Sequence, residues 1–166
     1  MRCHLLAAVL GVFSLCAPAS AADGPQSYRF AVGVDYGGAH LHWGLTPRWA
    51  TELRWQRASS QSGDGRVRAE AFGLRGVRYS SEWKSWRFLG GVEGDYVAAD
   101  AAGTTHARVS GAGLGAFIGA EARVTRRITI GVDAGPYLLS LKERTTHASD
   151  SSVEFVANSS LSVYLF

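Results

Sequence analysis

The chain has 166 residues, a formal charge of +3 and a mean hydropathy of -0.01. No block of like charges is present, so nucleic-acid binding has no support. Beyond the N-terminal segment, no apolar run reaches the roughly 20 residues that a membrane helix needs.

The N-terminus reads as a signal peptide: Arg2, an apolar run from Leu5 to Leu15, then Ala19-Ser20-Ala21. The expected cut follows Ala21, with Ala22 as the alternative. Cys16 is not read as a lipoprotein acceptor, because Leu15 precedes it where a small residue belongs. Residues 1–21 are therefore set aside, and residues 22–166 are one domain of ordinary size. Both cysteines, Cys3 and Cys16, fall in the discarded segment. The remainder offers no disulfide, thiolate metal site or cysteine nucleophile.

Eight strand-like segments follow: Tyr28–Tyr36, His40–Leu45, Arg48–Ala58, Arg66–Tyr79, Ser85–Val97, His106–Ala122, Arg127–Leu141 and Ser152–Phe166. Turn-forming residues separate them, including Gly37-Gly38, Thr46-Pro47, Ser62-Gly63-Asp64-Gly65 and Ala101-Ala102-Gly103. A side-chain period of two is clearest in the third, fifth, seventh and eighth. In the third, Trp49, Thr51, Leu53 and Trp55 alternate with Glu52, Arg54 and Gln56. In the fifth, Trp86, Phe88, Val92 and Tyr96 alternate with Arg87, Glu93 and Asp95. The fourth fits worst: Val67, Ala69 and Ala71 share a face with Arg75, so a bulge near Gly73 or Gly76 is expected. In the eighth, Tyr164 and Phe166 either face inward or the strand re-phases near Ser159-Ser160.

With a periplasmic N-terminus, Thr46-Pro47, Ser80–Lys84 and Arg123–Arg126 form short turns on one rim. Ser59–Gly65, Ala98–Thr105 and Lys142–Ser151 form longer loops on the other, the outer-membrane pattern. Tyr28, Trp43, Trp49, Tyr79, Trp83, Trp86, Tyr164 and Phe166 gather near the periplasmic rim. Tyr36, Trp55, Tyr96 and Tyr137 lie toward the other. Rings of this kind favour the headgroup level, so they are read as girdles. The fold class is all-β, an eight-stranded antiparallel up-and-down transmembrane β-barrel. Its interior is assigned Glu52, Arg54, Glu93, Asp95, Glu121, Asp133, Tyr137, Glu154 and Asn158. Eight strands leave room only for side chains, so these charges are expected to pair and fill the lumen rather than line an ion path. Gly111, Gly113, Gly115 and Gly119 would make space for larger partners.

The runs Ala31-Val32-Gly33-Val34-Asp35-Tyr36, Thr46-Pro47-Arg48-Trp49 and Glu52-Leu53-Arg54-Trp55 resemble small outer-membrane barrels of the OmpA-like and opacity types. The terminal Phe166 matches the signal read by the barrel-assembly machinery. The resemblance implies the outer membrane, with its lipid and lipopolysaccharide, as the setting. It implies no fixed activity.

Three other readings were weighed. His147, Ser149 and Glu154 resemble the base, nucleophile and orienting acid of a lipid A 3-O-deacylase. However, Asp150 stands where that pattern has Asn, and the group falls in a polar loop. A soluble ligand-binding barrel would need apolar inward faces, which the acids oppose. His40 and His42, with Asp35 as a conceivable third ligand, read as polar lumen or rim residues rather than a metal site, and His106 as a loop-end residue. The expectation is a non-enzymatic, monomeric outer-membrane barrel with no catalytic, cofactor-binding or metal residues.

Overall fold

The computed structural model describes residues 30–62, 65–102, 107–143 and 148–165. The signal segment, Tyr28, His106, His147 and Phe166 lie outside them. Eight strands are present: β1 (Phe30–Asp35), β2 (Gly38–Gly44), β3 (Trp49–Ser62), β4 (Gly65–Tyr79), β5 (Trp86–Ala102), β6 (Ala107–Arg123), β7 (Ile128–Glu143) and β8 (Ser149–Tyr164). Each pairs antiparallel with its chain neighbour, and β1 closes on β8 from Ala31↔Tyr164 to Asp35↔Ser160. The result is an eight-stranded up-and-down barrel, as the alternation required.

The short turns gather on the rim that carries the ends of β1 and β8. Two of them use one device. The Thr46 hydroxyl oxygen accepts the N–H groups of Arg48 and Trp49 at 3.3 and 3.0 Å. Thr125 accepts those of Arg127 and Ile128 at 3.2 and 3.1 Å. A threonine that satisfies the backbone two and three residues on fixes a tight reversal. On the opposite rim, Gly37 turns β1 into β2 at φ 92°, a left-handed conformation that favours glycine.

On that hairpin rim the expected loops are mostly strand. β3 runs through Ser59, Ser60 and Gln61, β5 continues to Ala102, and β7 and β8 pair out to Lys142↔Ser149. Small polar residues there read as loop from sequence, but opposed across a continuing ladder they extend it. The bulge expected in the fourth strand is absent. Pairing runs unbroken from Trp49↔Arg78 to Ser62↔Gly65, and from Arg66↔Ala102 to Tyr79↔Leu89. Ala69, Ala71 and Arg75 do share one face, and it is the lumen. The small residues leave volume for the long guanidinium. The pairing that is interrupted is β6 with β7, which skips Ala116 and Phe117 opposite Pro136 and Gly135. Proline has no N–H to contribute to a ladder.

The outer surface is an apolar belt. Val34, Leu41, Leu53, Leu74, Val92 and Ile118 are all more than 40% exposed. On β7 the outward residues from Ile128 to Leu138 are Ile, Ile, Val, Ala, Pro and Leu. At about 3.3 Å per residue and a tilt of about 40°, that run rises roughly 25 Å, the height of an outer-membrane apolar band. Among the described residues no Asp, Glu, Lys or Arg faces outward within the belt. The girdle reading holds for Trp43, Trp49 and Trp83, which are 62%, 50% and 68% exposed. It fails for Tyr79 and Tyr164, which are 5% and 2% exposed inside the barrel. β8 does not re-phase: Ser160, Ser162 and Tyr164 hold one inward row.

Leu53→Arg should destabilise the barrel in lipid vesicles by about 2–4 kcal/mol. Ala98→Arg, above the belt and beside Glu70 in the register, should cost little. Denaturant titration of tryptophan fluorescence compares the two.

Candidate functional site

Every second side chain of a closed sheet points inward, and here those side chains form one charged plug. Its hub is a cross-strand row: Glu52 on β3 is opposite Arg75 on β4, which is opposite Glu93 on β5. Arg75 Nη2 donates to Asp133 Oδ1 at 2.7 Å, Nη1 to Asp133 Oδ2 at 3.2 Å, and Nε lies 3.1 Å from Glu93 Oε2. Its guanidinium stacks 3.6 Å from the Phe117 ring centroid. Arg54 holds Glu93 at 2.8 and 3.0 Å and Asp35 at 2.9 Å. Asn158 donates to Asp133 at 3.1 Å. Arg54, Arg75, Glu93 and Asp133 are all buried. A buried charge left alone is costly, so each of these ions depends on its neighbours.

Toward the turn rim the plug becomes aromatic. Arg87 donates to Glu121 and to the Tyr164 hydroxyl, each at 2.8 Å, and lies 3.7 Å from the Tyr79 ring centroid. Ala50, Val77, Tyr79 and Phe117 pack there as a small apolar cluster. Toward the hairpin rim, Tyr137 reaches across β6 and its hydroxyl donates to Asp95. A Cβ on Gly113 or Gly115 would strike the Tyr137 ring, so those glycines do make room for a large partner.

The sequence-assigned interior residues Glu52, Arg54, Glu93, Asp95, Glu121, Asp133, Tyr137 and Asn158 all take part in the plug. Glu154 shares their face but is exposed at the mouth, 3.5 Å from the Ser152 hydroxyl. Sequence reasoning missed Arg75 and Tyr79 and left the facing of Tyr164 open. The signal for Arg75 was the Glu–Arg–Glu row, visible only once the register is known.

The histidines do not converge on one point. His40 Nδ1 lies 2.9 Å from Asp35 Oδ1, and its Nε2 lies 3.0 Å from the Ser162 hydroxyl. His42 Nδ1 lies 3.0 Å from Glu52 Oε1. Ser162, His40 and Asp35 share the connectivity of a hydrolase triad. The cavity beside them is only about 20 Å³, space for roughly one water, and Arg54 shares Asp35. No acyl substrate fits. His147 is outside the described residues, and Ser149 and Glu154, five positions apart, take opposite faces of β8.

A larger cavity, about 180 Å³, opens above the hub between Arg54, Tyr137, Leu139 and Val156. Arg75, Phe117 and Asp133 line both cavities and form the partition between them.

No family model matches the chain, and no curated protein matches it. Among solved structures it is similar to Neisserial surface protein A (NspA), with a TM-score of 0.61 and 11% identity over 82% of this chain and 93% of that one. It also aligns with CarO of Acinetobacter baumannii, with a TM-score of 0.47 and 10% identity over 87% and 100%. The fold is that of the small eight-stranded outer-membrane barrels.

Arg75→Leu should cost about 3–5 kcal/mol, because Asp133 and Glu93 then lose a buried cation. Adding Asp133→Asn should recover part of it, and the double-mutant cycle measures how much. Gly113→Ala should cost about 1–3 kcal/mol through overpacking against Tyr137. That penalty should vanish in a Tyr137→Ala background.

Proposed function

We propose that the chain is a non-enzymatic barrel of the bacterial outer membrane with a side-chain-filled lumen. Residues 1–21 are its cleaved signal. The turn rim faces the periplasm, and the projecting hairpins β3–β4, β5–β6 and β7–β8 carry whatever surface contact the protein makes. It enters the membrane as a monomer through the barrel-assembly machinery and sits among outer-membrane lipid and lipopolysaccharide. One observation carries this reading: an uninterrupted apolar exterior encloses a lumen whose ions are paired. Such an exterior would aggregate in water, and the space beside Ser162 and His40 is only about 20 Å³, too small for a substrate. The likeness to NspA bears on the fold, and these barrels serve many roles.

Cell fractionation followed by electrophoresis with and without boiling tests the reading. The protein should be recovered with the outer membrane, and boiling should change its mobility. Recovery in the soluble periplasm would overturn it. In planar bilayers the purified protein should give no steady channels, since Arg75, Phe117 and Asp133 partition the lumen. Ser149→Ala should leave lipid A acylation unchanged.

A further inference from the structure

The two rims differ in charge. On the hairpin rim, exposed cations and acids nearly balance: Arg57, Arg66, Arg68, Arg108 and Lys142 stand against Glu70, Asp100, Asp150 and Glu154, with Arg57 3.7 Å from Glu70 and Arg108 3.1 Å from Asp100. Among the described residues the turn rim is one-sided: Arg48, Arg78, Lys84 and Arg127 are exposed there, distributed over all three turns and the end of β4. Its one exposed acid among the described residues, Glu82, is ion-paired with Arg123.

Two of these cations lie at a defined depth. The Arg78 guanidinium is 5.6 Å from the Trp49 ring centroid, and Lys84 Nζ is 4.9 Å from that of Trp83. Both indoles are exposed at the lower edge of the belt, and exposed indoles mark the headgroup level. A cation resting on such a ring is held where lipid phosphates lie, with its remaining N–H groups outward. Arginine forks match phosphate oxygens two at a time. Unbalanced cations at a membrane surface gain from anionic headgroups.

We propose that the turn rim is a collar for anionic glycerophospholipids of the periplasmic leaflet, bound through their phosphates by Arg48, Arg78, Lys84 and Arg127. The proposal rests on the membrane reading above, which puts the termini and short turns on the periplasmic side. Lipopolysaccharide then occupies the opposite leaflet, against the nearly balanced rim. Because the cations are spread over separate turns, the collar takes several lipids around its circumference rather than one in a cleft.

The test is native mass spectrometry of the folded barrel in a neutral detergent, with phosphatidylglycerol, phosphatidylcholine or lipid A added. The wild type should retain phosphatidylglycerol about fivefold or more over phosphatidylcholine, and raising the salt should abolish that preference. Arg48→Gln, Arg78→Gln, Lys84→Gln and Arg127→Gln combined should bring the two phospholipids to parity. Arg57→Gln, Arg66→Gln and Arg68→Gln on the hairpin rim should leave the preference intact. Equal retention by the wild type, or a preference insensitive to salt, overturns the collar. So does a preference that survives the turn-rim substitutions, is lost with the hairpin-rim set, or favours lipid A over phosphatidylglycerol. The boiling-dependent mobility shift is recorded for every variant. If the combined variant does not fold, the wild-type salt response decides, together with the combined Arg48→Lys, Arg78→Lys and Arg127→Lys variant, which should keep the preference. A chain that never forms a heat-shifting barrel refutes the membrane reading itself, whereas a folded barrel indifferent to lipid charge overturns only the collar.

Discussion

Peptide groups that meet hydrocarbon have no water to bond, so each N–H must find a carbonyl within the sheet. An open sheet cannot meet that condition, because its edge strands present a row of unpaired groups. The pairing of β1 with β8 removes the last edge, and much else follows from it. Closure at eight strands sets a lumen the width of side chains. It also makes alternation along every strand a choice between lipid and lumen. One break is tolerated, at Pro136. There Gly135 approaches Ala116 and Phe117 too closely to carry a Cβ.

The narrow lumen explains the plug. Charges enclosed by a wall of backbone and small residues are poorly solvated, and paired ions are the arrangement that keeps them tolerable. Arg75 is central because the register places Glu52 and Glu93 on either side of it while Asp133 reaches it from across the barrel. Aromatic rings fill what the ions leave: Phe117 beneath Arg75, Tyr79 and Tyr164 around Arg87, and Tyr137 over the glycines of β6. The same crowding argues against chemistry at Ser162, whose hydrogen-bond partners resemble those of a nucleophile but whose surroundings admit about a water.

The belt is fixed by the solvent it faces and the lumen by its width, so what remains free to differ is the charge and shape of the two rims. Here, among the described residues, the hairpin rim is polar and nearly balanced in charge, whereas the turn rim is basic and carries tryptophan. That asymmetry is independent of the fold, which barrels of many roles share.

The strand count, the order of the turns and most of the lumen acids were legible in the sequence, because a period of two survives wherever one face meets lipid. Glu52, Arg54, Glu93 and Asp133 could be placed inward from alternation alone. Other features depended on pairing between strands. Arg75 looked out of phase because its face of β4 carries no acid, only Gly73 and Val77 beside it and alanines beyond, and the acids that explain it belong to β3, β5 and β7. Tyr79 and Tyr164 looked like girdle residues because ring chemistry suits either side of a barrel wall, and only the register shows which way they point. The hairpins looked like loops because polar residues above the membrane lose the apolar half of the alternation while keeping the ladder. Sequence thus determined which residues alternate. Tertiary structure decided which of them meet, since contacts across a barrel depend on the stagger of strands far apart in the chain.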